Sequence, residues 1–175
     1  MSFYMPPMKV GEYTTSTTLT GDLLNTYRLE AGVFRWVYNS SAISNAGGKV
    51  VTLAFTNGAP TGAVVETTTA SDNDVAGVIP IGATSTQGGA ITATTTLAAN
   101  SYFLVQLNGA ARVQANTTVS TGANLVTTTT SGQVGSMATG VEASTAILAS
   151  IGYATNTAVA TVANGLITCV LTRVA

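Results

Sequence analysis

Residues 101–115, SYFLVQLNGAARVQA, decide how the chain is read. Asn108-Gly109 sits between two apolar runs. That dipeptide is the strongest short-range hairpin signal, because a two-residue type I′ turn needs φ > 0 at both central positions. The spacing therefore predicts two strands folded on each other, with Leu107 opposite Ala110, Val105 opposite Arg112 and Leu104 opposite Val113. Opposed residues share a face. One face then carries Tyr102, Leu104, Ala111, Val113 and Ala115. The other carries Phe103, Val105, Leu107 and Ala110, with Arg112 and Gln114 as its polar members. A half-solvated hairpin keeps one face polar. Two apolar faces call for a cover on each side, supplied by a sheet of the same chain and, over the second face, by more of the chain or by another subunit.

The composition points the same way. The chain has 175 residues, enough for one domain with a small extension. A chain of this length buries roughly 70% of its unfolded surface without disulfides or metals. Only 7% of residues are charged, and 32 are threonine. Thr and Val are β-branched and favour strands, whereas the helix formers Glu, Lys, Gln and Arg are scarce. The expected fold is all-β, an antiparallel β-sandwich or β-barrel with an extended N-terminal arm. A surface built from Thr, Ser, Asn, Gln and Ala suits close packing against other proteins. It suits nucleic acid poorly, since there is no basic patch to neutralise phosphates.

Outward from the central stretch, strand signals recur every 8 to 12 residues. GVFRWVY (32–38) alternates, with Phe34, Trp36 and Tyr38 on one face, read as a core aromatic row. KVVTLAF (49–55) is followed by Asn57-Gly58 and Pro60, a turn signal. AVVETTTA, VAGVIPIGA, ITATTTL and AILASIGY read as further short strands. A second hairpin is expected where AVATVA meets LITCVLTRV at Asn164-Gly165. Asp72-Asn73-Asp74 reads as an Asx turn rather than a calcium loop, which needs more oxygens and a closing Glu. No repeat of 20–50 residues is visible. Residues 1–30 differ from the rest, with Pro6, Pro7, a Thr-rich run and five charges. They read as an arm ahead of a β-rich domain over 31–175. Phe3, Tyr4 and Tyr13 make the arm too apolar to be a purely solvating tail, so it is expected to lie on a neighbour.

The search for chemistry is negative. With no histidine there is no imidazole base or His ligand, and one cysteine excludes zinc ribbons and iron–sulfur sites. No P-loop, dinucleotide fingerprint or nucleophile elbow occurs. Cys169 reads as a small buried hydrophobe. The expectation is a protein that is not an enzyme and holds no cofactor or metal. No run of 18 apolar residues exists, so no membrane span is expected. The first residues lack the apolar core of a secretory signal, so synthesis in a cytoplasm is expected. Arg112, a lone cation among apolar neighbours, is a candidate anchor for a partner's carboxylate. Phe103, Val105 and Leu107 join it as candidate subunit contacts.

These residues also carry a resemblance. GVFRWVYNSSAISNAGGKVV, VAGVIPIGA, LAANSYFLVQLNGAARVQANTTVSTGANLVTTTTSGQV and AILASIGYA together resemble the capsid decoration (cement) proteins of tailed bacteriophages. The match spans residues 31–174 and consists of small and apolar positions. It departs at Asn124, where the family often carries Asp, and the arm does not align. The resemblance implies a β-rich domain on the outside of an icosahedral head, in the virion, often as a homotrimer and bound to the major capsid protein. The rival class is a head- or tail-fibre adhesin domain that binds a receptor or glycan.

Overall fold

A computed structural model describes residues 8–16, 23–82, 89–137, 149–156 and 165–172. Among these there is no helix, and twelve strands run in chain order. They are β1 (Glu12–Thr14), β2 (Thr26–Leu29), β3 (Gly32–Asn39), β4 (Val50–Thr56), β5 (Ala59–Glu66) and β6 (Val75–Val78). β7 (Gly89–Ala90), β8 (Tyr102–Ala115), β9 (Asn124–Thr127), β10 (Val134–Ser136), β11 (Gly152–Ala154) and β12 (Gly165–Leu171) follow.

The central stretch is not a hairpin. β8 is one strand of 14 residues, roughly 45 Å long at about 3.3 Å per residue. A type I′ turn needs left-handed backbone at both residues. Here Gly109 has φ +101°, but Asn108 is not among the positive-φ residues. The two halves do not need each other, because each finds its own partner. Tyr102–Asn108 pairs antiparallel with β3, and Gly109–Ala115 pairs with β12. Asn57-Gly58, with the same two residues, is the turn that the pattern promises. Its φ values are 52° and 79°, and it joins β4 to β5 with Thr56 opposite Ala59. Asn164 lies outside the described residues, and Gly165 already belongs to β12.

Pairing closes β3, β8, β6, β4 and β5 into a five-stranded barrel. The closing step is parallel, Tyr38 beside Ala63 and Asn39 beside Val64. β8 then runs on into a second ring with β12, β11, β9 and β10, closed at one parallel bridge, Val134 to Ala115. Closure covers much of the edge open to chain-to-chain pairing, and β2 and β1 pair with the stretches of β3 and β8 that closure leaves free. The first barrel is filled by Val37, Val51, Val64, Phe103, Val105 and Leu107, among others. The second is filled by Val113, Leu125, Val134, Ile151, Ile167 and Leu171 with their neighbours. The two are tied together outside the shared strand. Lys49 pairs with Glu66, Glu66 accepts from the Ser131 hydroxyl, and Val50 N–H donates to Gly132 O at 2.8 Å.

A third cluster lies outside the first barrel and explains the second apolar face of β8. Tyr102 and Leu104 point there, beside Phe34 and Trp36 of β3. Trp36 and Tyr102 stack at 6.2 Å, and Tyr38 lies 5.5 Å from Tyr102, so the aromatic row is core as expected. Its cover is the chain's own N-terminal segment: Met8 and Tyr27 are buried on it, with Val10, Leu23 and Leu29 packed alongside. Within residues 1–30, β1 pairs with β8 and β7, and β2 pairs with β3. The described part of the expected arm is therefore woven into the sheet.

Candidate functional site

The residues singled out from sequence fall in four places. Phe103, Val105 and Leu107 are 0%, 0% and 5% exposed. They fill the first barrel, so they are not a free face for another subunit. The reason is that β8 runs unbroken through Asn108-Gly109 instead of folding back, so these alternate side chains point inward. Tyr13 is half-buried on β1, opposite Phe103, with its ring against Gly89. Phe3 and Tyr4 lie outside the described residues. Arg112 is exposed on β8 in the half that belongs to the second barrel.

Arg112 lines a cleft of about 360 Å³ between the two barrels. One wall is the outer face of the second barrel, with Ala110 and Arg112 on β8 and Thr168 and Val170 on β12. The facing wall includes Val10, Phe34 and Pro80 from the first barrel and its cover. Cleft walls that are mostly apolar with a few convergent polar groups are the usual form of a binding site. The polar groups here are the Arg112 guanidinium, the Gln106 amide and two threonine hydroxyls. Thr155 Oγ1 donates to Thr168 Oγ1 at 3.0 Å, and Thr168 N–H donates to Asn156 Oδ1 at 2.9 Å. No Asp or Glu lines the cleft among the described residues.

The shape of the cleft depends on how β8 bends at Gly109. Gln106 is 4% exposed, and its Nε2 donates to Ala31 O, Asn108 O and Ala110 O at 3.3, 3.2 and 2.9 Å. The two hydrogens of one amide are thus shared among three carbonyls around Gly109. Farther along β8, away from the cleft, the fully buried Gln114 donates to Asn45 O and Gly47 O at 2.6 and 2.9 Å. Sequence reasoning flagged neither glutamine as structural. Their one signal was a polar side chain inside an otherwise apolar strand.

Cys169 lies beneath the cleft floor, 1% exposed, and burial pushes its thiol up to about 12. The thiolate is the nucleophile, so a buried thiol this hard to ionise is inert. Native protein is expected to leave Cys169 unreacted with a thiol-specific disulfide reagent at mildly alkaline pH, and denatured protein to react promptly. Absorbance of the released thiolate measures both rates. Elsewhere, Arg35 shares the inner face of β3 with Val33 and Val37, and burial lowers its pKa. Asp72 forms the expected Asx turn: its Oδ1 accepts Asp74 N–H at 2.8 Å. Its Oδ2 accepts the Thr52 and Thr67 hydroxyls at 2.9 and 3.0 Å.

No family model matches the chain. No curated protein matches it either. Among solved structures, it is similar to the crystal structure of the head fiber gp8.5 N base in bacteriophage phi29. That likeness covers 81% of this chain and 97% of the other, at 12% identity and a TM-score of 0.47.

Proposed function

We propose that this chain is a structural protein of a phage virion, seated on the outside of the head, where it holds neighbouring major capsid protein subunits together. The observation that carries this reading is the surface. Exposed strand and turn positions are dominated by short hydroxyl and amide side chains, among them Thr26, Ser40, Thr56, Asn57, Thr68, Thr117 and Thr129. Such a surface hydrogen-bonds closely to neighbouring proteins and carries little charge to be desolvated on contact. The resemblance of residues 31–174 to decoration proteins supports the same reading. The role needs no catalysis and no cofactor. A protein that binds only the assembled shell stabilises it by mass action, and many weakly held copies on a lattice add through avidity. A trimer fits the local three-fold positions of such a shell, since the symmetry of an interface must match its site.

Electron microscopy of the particle that carries the protein tests this. The expected result is hundreds of copies between neighbouring capsomers. A few copies at vertices or on the tail would replace it with the fibre reading, and absence from the particle would overturn both.

A further inference from the structure

The two rings share one connectivity. Taken in chain order, the strands of the first are β3, β4, β5, β6 and β8, and those of the second are β8, β9, β10, β11 and β12. In each, the first strand pairs with the fifth, the fifth with the fourth, the fourth with the second and the second with the third, all antiparallel. The third then closes on the first in parallel.

The registers agree as well. Setting Gly77 on Gly152 sets Val51 on Leu125, their cross-strand partners. That sets Glu66 on Ser136, and two residues back Val64 on Val134. The parallel closures then set Asn39 on Ala115, hence Trp36 on Arg112 and Phe34 on Ala110. The fifth strands follow, with Leu104 on Thr168 and Gln106 on Val170. The circuit closes: Gln106 faces Val78 and Val170 faces Tyr153, each one residue past the starting glycine. Those glycines have φ +147° and +156°, and a Cβ on either would run into the carbonyl of Gln106 or Val170, which are themselves equivalent. The cores match too, Val37 with Val113, Ile43 with Val119, Phe103 with Ile167, Val105 with Cys169 and Leu107 with Leu171. The chain is a five-stranded barrel used twice, with β8 as last strand of the first copy and first strand of the second.

This equivalence assigns a role to the cleft. The first-barrel face made by Phe34, Trp36 and Leu104 is buried in one cluster with Met8 and Tyr27 of the chain's own N-terminal segment, Tyr27 standing beside Phe34 on β2. Its counterpart is Ala110, Arg112 and Thr168, a wall of the cleft, and all three are exposed among the described residues. We propose that this face of the second barrel seats an extended segment of a partner polypeptide, as the first barrel seats Met8 and Tyr27. The segment is apolar and carries one carboxylate. The carboxylate follows from Arg112 standing where the first barrel has Trp36, and from the lack of any acid among the described residues of the lining. A guanidinium held between apolar walls gains most from a bidentate carboxylate partner. The inference stands apart from the proposed role on a phage head, and its test uses no particle.

The full chain is immobilised and offered a library of acetylated octapeptides built from Ala, Val, Leu, Thr and Glu, and retained peptides are sequenced. The wild type is expected to enrich peptides with one Glu flanked by aliphatic residues. Resynthesis of an enriched peptide with Gln for Glu is expected to weaken binding about 10-fold, the scale of a charged hydrogen bond. Arg112→Ala is expected to abolish the preference for Glu over Gln, and Ala110→Phe, which fills the cleft at an exposed position, to abolish retention. Both variants sit on exposed positions, and circular dichroism checks that they fold. No enrichment over Ala110→Phe overturns the proposal, as does a Glu preference that survives in Arg112→Ala. Retention of decanoate but of no peptide also overturns it, since the site would then take a small amphiphile.

Discussion

Deleting residues 1–30 is expected to unfold the first barrel rather than release a dispensable arm. The segment supplies Met8 and Tyr27, 5% and 3% exposed, over Phe34, Trp36, Tyr102 and Leu104, none of them more than 8% exposed. Fully burying a large apolar side chain stabilises by about 1.5–3 kcal/mol. Uncovering four of them removes at most about 6–12 kcal/mol, a sizeable part of the whole stability of a typical domain at about 5–15 kcal/mol. The deletion also strips β2 from Gly32–Arg35 and β1 from Tyr102 and Phe103, leaving two open strand edges. Open apolar edges pair with other chains. The truncated protein is expected to be insoluble or aggregated on a sizing column, with no cooperative transition in thermal melts. A soluble truncated chain that melts within a few degrees of the full one would show that the cover contributes little.

Much of this was legible along the chain. GVFRWVY alternates as a strand that packs aromatics on one face, and β3 does so, because Phe34 and Trp36 find an apolar cover. Asn57-Gly58 makes its turn, since β4 and β5 have each other as neighbours. Asp72 makes its Asx turn, a bond that spans two residues and needs no distant partner. Asn108-Gly109 carries the same local signal as Asn57-Gly58 and ends as a bend inside one strand. The difference lies far off in the chain, in β3 and β12, which pair with the two halves of β8 separately. Turn propensity is weak beside two complete ladders of tertiary pairing. The duplication is not legible along the chain for a related reason. Offsets between matched strands vary from 64 for Phe103 and Ile167 to 76 for Val37 and Val113, and only inward positions agree. A fixed-period search fails when connecting loops differ in length. The cleft had a single signal, Arg112 among apolar neighbours, and its partner wall comes from segments far away in the chain.

The bend itself sets the second large effect. Gly109→Ala is expected to destabilise the protein by about 3 kcal/mol or more, and Gly58→Ala by only about 1 kcal/mol. Both glycines have positive φ, +101° and +79°. At Gly58 a methyl group meets nothing within 4 Å, so the cost is the left-handed backbone alone. At Gly109 the φ lies beyond the left-handed helical well, where side chains other than glycine are strained by about 1–3 kcal/mol. The methyl group would also stand 2.6 Å from Ala31 O and 3.1 Å from Gly32 Cα. Neither strand can retreat easily. Gly32 is itself pressed against the Asn108 carbonyl, the β3–β8 register already shifts at Val33/Phe34, and Gln106 holds three carbonyls around the bend. Because β8 belongs to both barrels, the strain acts on both, and urea unfolding is expected to keep one transition with a lowered midpoint. If Gly109→Ala is as mild as Gly58→Ala, the close approach of β3 to the bend is not what holds the shared strand in place.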